Sequence, residues 1–141
     1  MSGQLPREKS FEILQPLFSL QPLNVTSTKT ISVTGFNMLT LFCNHVVNAT
    51  ATAVIVALEF SRSVDPTVWY PQSRGADLLG TGVYTIQDVS HSKTVAAADV
   101  WMIPSAVPIG MGNCRITVTS TAGGAADTFT MYGTLGTSLG A

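Results

Sequence analysis

Charge is what this sequence has least of. Of its 141 residues only 11% are Asp, Glu, Lys or Arg, and the net charge is −1, whereas an average soluble domain carries about 25% charged residues. The cations are scattered singly, apart from the near neighbours Arg7 and Lys9. Proteins that hold nucleic acid by its phosphates need clustered lysine and arginine, so no nucleic-acid partner is expected. Cysteine is scarce too. Cys43 and Cys114 are too few for a disulfide scaffold; one bridge between them is open, but two separate buried thiols acting as small hydrophobes are the expectation. Long apolar runs are missing as well. The most apolar stretch, Thr52 to Phe60, falls far short of the ~20 residues of a membrane helix. Met1 to Gln15 mixes Arg7, Glu8, Lys9 and Glu12 into its apolar residues and does not read as a secretory signal. The expectation is a soluble chain made in the cytoplasm, in which the sequons at Asn24 and Asn48 are coincidental.

The residue patterns that carry chemistry are equally thin. His45 lies two residues after Cys43, on the same side of an alternating segment, while His91 lies in a Ser-rich stretch three residues after Asp88. Zinc requires three or four ligands in recognisable pairs, and no such pair occurs, so neither a metal nor a cofactor is expected. No Gly-x-Ser-x-Gly elbow supports a nucleophilic triad. Glu59 and Asp65 could be considered as a carboxylate pair for glycoside hydrolysis, but Glu59 reads better as the polar residue near the end of a core strand. The glycines at 80, 82, 110, 112, 123 and 124 separate strands and never open a strand-to-helix turn, as a phosphate loop would. The expectation is a protein that is not an enzyme.

Residues 1–29 and residues 30–141 differ in character. The first stretch holds Pro6, Pro16 and Pro22 and two similar pieces, Leu14-Gln15-Pro16-Leu17 and Leu20-Gln21-Pro22-Leu23. Proline fixes its own φ and pushes the residue before it toward extended backbone, which rules out a continuous helix. Phe11, Ile13, Leu14, Leu17, Phe18, Leu20 and Leu23 make the stretch too apolar for a solvated linker. It reads as an extended arm lying across another surface, either its own domain or a neighbouring subunit.

From Thr30 the period becomes two. Ile31 and Val33 alternate with polar residues up to Gly35. Leu39, Leu41, Cys43, His45 and Val47 share one face of the next segment, and Thr40, Phe42, Asn44 and Val46 the other; Asn48-Ala49-Thr50 is the turn that follows. Val54, Val56, Leu58 and Phe60 alternate with Ala53, Ile55, Ala57 and Glu59, apolar on both sides as a central strand should be. Ser61 to Gly82 is rich in loop signals. Weaker strands are expected at Val83–Val89 and Val95–Ile103, and stronger ones at Cys114–Thr119 and Thr128–Leu135, the last two joined as a hairpin through Gly123-Gly124. About eight short strands with Gly and Pro turns predict an all-β fold, a β-sandwich or jelly-roll-like domain with an extended N-terminal arm. The immunoglobulin pattern does not fit, because Trp69 follows Cys43 too distantly and Gly112 stands where a tyrosine is expected two residues before the second cysteine.

Trp69 and Tyr70 beside Pro71, and Trp101 beside Met102, Ile103 and Pro104, are the aromatic clusters. Aromatic side chains anchor interfaces, although for two tryptophans in a chain of this size core burial is the first expectation. The partner-binding candidates are therefore the seven apolar arm residues together with Trp69 and Tyr70.

Val54 to Tyr70, an apolar strand followed by Glu59, Ser61, Ser63, Thr67 and Trp69 in fixed spacing, resembles a pattern in small β-sandwich structural proteins of tailed bacteriophages. Ile31 to Phe36 leading into Leu39 to Phe42 is similar to the opening of such domains. Arg115–Thr119 with Asp127–Gly133 is similar to their closing hairpin. The resemblance covers most of residues 30–135 and implies a virion component assembled in the host cytoplasm. The commonest such part is a capsid decoration, or cement, protein, often a trimer, whose arm reaches over major capsid subunits. On that reading the arm could be removed without unfolding the domain. A tail, neck or baseplate component and a carbohydrate-binding module using Trp69, Tyr70 and Trp101 as stacking platforms are the alternatives.

Overall fold

A residue on a strand points to the opposite side from its neighbours, so a period-two sequence sorts itself into an inward and an outward face. The computed structural model of this chain, which describes residues 11–47, 52–95 and 97–137, shows two such sorted sheets packed on one core. Within the described residues there are twelve strands, in antiparallel pairs: β1 (Phe11–Ile13), β2 (Phe18–Pro22), β3 (Ser27–Ser32), β4 (Met38–Val46), β5 (Thr52–Arg62), β6 (Asp65–Pro71), β7 (Ser73–Ala76), β8 (Thr85–Asp88), β9 (Ser90–Val95), β10 (Asp99–Ala106), β11 (Met111–Ser120) and β12 (Thr128–Gly136). A front sheet runs β1-β12-β4-β10, with β2 also on β12. A back sheet runs β3-β11-β5-β6, with β9 also on β5. The strands β7 and β8 pair only with each other and form a separate ribbon. The all-β sandwich expected from the sequence is the observed architecture.

The core is where the inward faces meet. Leu39, Leu41 and Cys43 from β4 and Phe129, Met131 and Leu135 from β12 pack against Val54, Val56, Leu58 and Phe60 from β5 and Cys114, Ile116 and Val118 from β11. Each large side chain removed from water contributes about 1.5–3 kcal/mol, and this is what holds the sheets together. Both cysteines are buried free thiols, as expected from their number.

Residues 11–29 lie on the protein's own sheets. β1 and β2 pair with β12 and β3 pairs with β11, so β3 runs straight through the boundary expected at residue 30. Backbone bonds Leu14 N–H to Gly133 C=O (3.0 Å), Leu17 N–H to Met131 C=O (2.9 Å) and Leu23 N–H to Asp127 C=O (2.8 Å) fasten the segment. Gly133 makes this possible. It takes an inward position on β12, and a Cβ there would sit 3.0 Å from Leu14 Cδ1 and 3.2 Å from Leu17 Cδ1. The missing side chain is the notch into which the arm packs.

Three sequence expectations are corrected here. Cys114–Thr119 and Thr128–Leu135 are not a hairpin, because β11 belongs to the back sheet and β12 to the front. Each is an interior strand with both edges taken, β11 by β3 and β5, β12 by β4 and by β1 and β2. The Gly123-Gly124 connection spans the ~10 Å between packed sheets instead. The loop expected over Ser61–Gly82 contains β6 and β7; β6 tolerates Pro66 and Pro71 because it lies at a sheet edge, where a missing N–H costs no ladder bond. Val83–Val89 and Val95–Ile103 resolve into β8, β9 and β10 with shifted bounds. The turn expected at Asn48–Thr50 lies outside the described residues.

Candidate functional site

The nine partner-binding candidates scatter. Leu17, Phe18 and Leu23 belong to the protein's own core and are not available to a partner, which corrects that part of the expectation. Leu14 is half-buried against the same core. Phe11, Ile13 and Leu20 remain exposed. Leu20 is held outward by a left-handed backbone (φ 47°), a conformation that costs a leucine roughly 1 kcal/mol. It coincides with the register shift where β2 meets β12. Trp69 is half-buried, not a core residue, and the Arg115 guanidinium lies 4.5 Å from its ring centre. Tyr70 pairs with Phe60 on the other side of β6. Trp101 packs against the core from β10. The aromatics proposed for sugar stacking thus face three different ways.

Two of the exposed arm residues join a larger feature. Residues directly opposite each other on antiparallel strands share a face, and the register across the front sheet lines up Met102, Phe42 and Tyr132 in one row on β10, β4 and β12. Val100, Asn44 and Thr130 form the next row. On the other side, Pro104, Thr40, Thr134 and Ile13 form one row, and Ala106, Met38, Gly136 and Phe11 another. Among these outward positions not one is charged, and Val100 and Met102 are 67% and 61% exposed. Three strands of eight or nine residues, with the three-residue β1 at one edge, make a face of roughly 20 Å by 30 Å at its widest. Between Phe42, Asn44, Val100, Trp101 and Met102 it is dished into a hollow of about 250 Å³. A monomer rarely leaves so wide an apolar patch in water.

Sequence reasoning placed Phe42 and Val46 on the alternate face of their strand and left them there. The signal that could have found the site was apolar residues on both faces of β4 and β10, in a molecule with only enough chain for two layers.

The ribbon is the second exposed apolar feature. Its base is clamped by Gln72, whose N–H donates to Leu58 C=O (2.9 Å) and whose C=O accepts from Val89 N–H (2.7 Å). The Gln72 side chain donates to Ser105 Oγ (3.1 Å) and accepts from His91 Nε2 (2.9 Å). Both sheets therefore hold it. At the tip the Asp77 carboxylate accepts from Thr81 N–H (3.0 Å) and Gly82 N–H (2.9 Å). Tyr84 and Ile86 close over Gly75, where a Cβ would meet them at 3.5 and 3.6 Å. Leu78, Leu79, Val83, Tyr84 and Ile86 are all exposed, Leu79 at 85%.

The groups singled out for chemistry sit as follows. His45 is buried at 2% exposure and accepts at Nε2 from the Trp101 indole N–H. Its proton must then reside on Nδ1, which has no partner among the described residues. Burial pushes its pKa down to about 4, with the Asp99 carboxylate opposing that shift and Lys93 adding to it. Burial pushes the Cys43 thiol up to about 12, and burial together with Glu59 does the same for Cys114, so both stay protonated and poorly nucleophilic near neutrality. Burial also lowers the His91 pKa. Glu59 is engaged by Arg115 through Nε to Oε1 and Nη2 to Oε2, each 3.0 Å, while Asp65 sits at the far end of β6, accepting from Thr67. No three His, Cys, Asp or Glu side chains gather into a metal-binding group among the described residues.

The chain matches no protein-family model, and no curated protein matches it either.

Proposed function

We propose that this protein is a structural subunit of a multi-copy particle and, within that class, a decoration or cement protein on the head of a tailed phage. The observation that carries the first step is the uncharged, apolar outer face of the front sheet. The fold needs only the inward faces to be apolar. An apolar outward face adds nothing to the stability of a lone chain and favours contact with another surface, contributing about 25 cal/mol per Å² of apolar area covered. The second step rests on the resemblance of Val54–Tyr70 and its flanking segments to phage sandwich proteins. On that reading the partner is a major capsid protein and the place is the virion.

The test is co-sedimentation with purified heads that lack the protein. Binding that saturates at a fixed number of copies per head, with heads then surviving higher temperature or lower ionic strength, is the expected result. A folded protein that leaves heads undecorated at tens of micromolar overturns the cement reading. Binding to isolated tails or necks instead would move it to that part of the particle, and a hit on a glycan array with no particle binding would make it a sugar module.

A further inference from the structure

We propose that the N-terminal half of β10 is an acid-operated latch: protonation of His45 turns Trp101 out of the mouth between the two sheets while the rest of the sandwich stays folded. The latch stands independently of the assembly reading. β10 and β9 are edge strands, each hydrogen-bonded along one side only, β10 to β4 and β9 to β5. Two polar clasps close the opening between them. At one end the Lys93 ammonium meets the Asp99 carboxylate at 2.9 Å. Further along, the Gln72 side chain joins His91 of β9 to Ser105 of β10, at 2.9 and 3.1 Å. The half of β10 beyond Ile103 is tied down again by Val107 N–H to Asn37 C=O (2.9 Å), and Ile103 itself is a core residue. The half before it has a half-buried Trp101 and an ion pair whose two side chains are each 38% exposed, a pair that solvent screens. The weak half is therefore Asp99–Met102.

His45 lies behind that half, on β4 directly opposite Asp99. Its Nε2 accepts from the Trp101 indole N–H, and its Nδ1–H has no acceptor among the described residues. Asp99 from β10 and Lys93 from β9 are the charged groups that act on it, while β12 offers the Phe129 ring, 6.3 Å away between centroids. A second proton can go only to Nε2, and an imidazolium has two donors and no acceptor. Its Nε2–H would point at the indole N–H, donor against donor, and its charge would be buried without a bonded partner, which is costly. Swinging the indole outward relieves both, because water then reaches the ring beside the Asp99 carboxylate. Trp101 also lines the hollow with Val100 and Met102, so the outer face of the front sheet changes shape with the latch. The sign follows from burial, which holds the His45 pKa at about 4 in the closed state against 6.5 for an exposed ring. The closed state is fully favoured above pH 6.5 and loses that preference as pH falls through 4.

The experiment follows the Trp101 indole N–H itself, by hydrogen exchange in the nitrogen-15-labelled protein, corrected for the exchange rate of free tryptophan. Its opening constant is expected to rise about 20-fold between pH 7 and pH 5. Added urea below the unfolding transition should change it little, because a local opening exposes little surface. The backbone N–H of Ile116, in the middle of β11, exchanges through global unfolding and should respond steeply to the same urea. His45→Gln accepts from the indole and takes no proton, so in that variant the rise toward pH 5 is expected to vanish. An indole whose exchange follows urea as steeply as Ile116 opens only with the whole fold, and that result overturns the latch. An equal rise in His45→Gln overturns it too, by assigning the proton to another group. If the variant does not fold, the urea dependence in the wild type decides alone.

Discussion

On the back sheet the outward positions of β11 and β5 read Asn113, Arg115, Thr117, Thr119 and Ala53, Ile55, Ala57, Glu59, with Ser90, Ser92 and Thr94 alongside on β9. On the front sheet the outward positions of β4 and β10 read Met38, Thr40, Phe42, Asn44, Val46 and Val100, Met102, Pro104, Ala106. The backbone is the same, and both inward faces feed one core, so the fold does not account for the contrast. Hydroxyls, small residues, Ile55 and one ion pair make up the back, whereas the front sets large uncharged side chains among Asn44 and the threonines of β4 and β12. The sequence is poor in charge as a whole, but the consequence is concentrated on one side. On the assembly proposal, that asymmetry separates a surface left to solvent from one that meets a neighbour.

The contrast breaks most severely if the front sheet loses its edge. Deleting residues 1–29 removes β1, β2 and half of β3, along with Leu17, Phe18 and Leu23 from the core. Each lost core side chain costs about 2–5 kcal/mol, which together matches the whole stability of a domain, about 5–15 kcal/mol. The expected outcome is no cooperative urea transition by circular dichroism. A fragment 30–141 that unfolds cooperatively near the wild-type midpoint would restore the arm as a separate element. This is the reverse of what the sequence suggested, that the domain survives without its arm.

Acid should weaken the front sheet through His45. Its pKa is about 6.5 unfolded and about 4 folded. The unfolded chain therefore binds the proton first, and the stability is fully present above pH 6.5 and lost as pH falls through 4. The window is worth about 3 kcal/mol at most. Urea midpoints at pH 7.5, 5.5 and 4 should fall accordingly. His45→Gln, which keeps an acceptor for the Trp101 indole, should flatten that slope. An unchanged slope would place the acid sensitivity in other groups.

A smaller loss is expected at the notch. Gly133→Ala puts a methyl 3.0 Å from Leu14 Cδ1 and 3.2 Å from Leu17 Cδ1. Both are ends of flexible side chains, so the cost is about 1–2 kcal/mol. Adding Leu14→Ala should recover part of it, since the methyl then has room. Full additivity of the two losses would show that the notch does not seat the arm.

How much of this could be read from the sequence depends on range. The alternation over Ala53–Phe60 is local, and it identified both the central strand and its inward side chains. The arm's stickiness was legible in Phe11, Leu14, Leu17 and Leu23, but its own-domain partner was not, because pairing with β12 joins residues over a hundred positions apart. Gly123-Gly124 signals a reversal equally well for a hairpin and for a crossing between sheets; only the occupied edges of β11 and β12 decide. The front face was hidden for the same reason. Phe42, Met102 and Tyr132 are unremarkable singly and become a surface only once register sets them side by side. The ribbon's first strand, β7, was concealed within a stretch whose Gly and Pro content reads as loop, whereas β8 falls inside the strand expected over Val83–Val89.

The smallest effect is expected on the back face, and it tests the contrast from the other side. Arg115 pairs with Glu59 at 3.0 Å and lies over Trp69, with both ion-pair side chains about a third exposed. At that exposure the desolvation is partial and solvent screens the pair, so a double-mutant cycle of Arg115→Met and Glu59→Gln should give a coupling of about 0.2–1 kcal/mol. Trp69 adds a cation–π contact of similar size, which Trp69→Leu removes. None of these changes should alter the mass by light scattering or the binding to heads, because the residues around them are ones that water already satisfies. A drop in mass from Arg115→Met would mean that the cluster meets a partner. The hydroxyl-lined face would then be an interface as well, and the inference from polarity to solvent would fail for this protein.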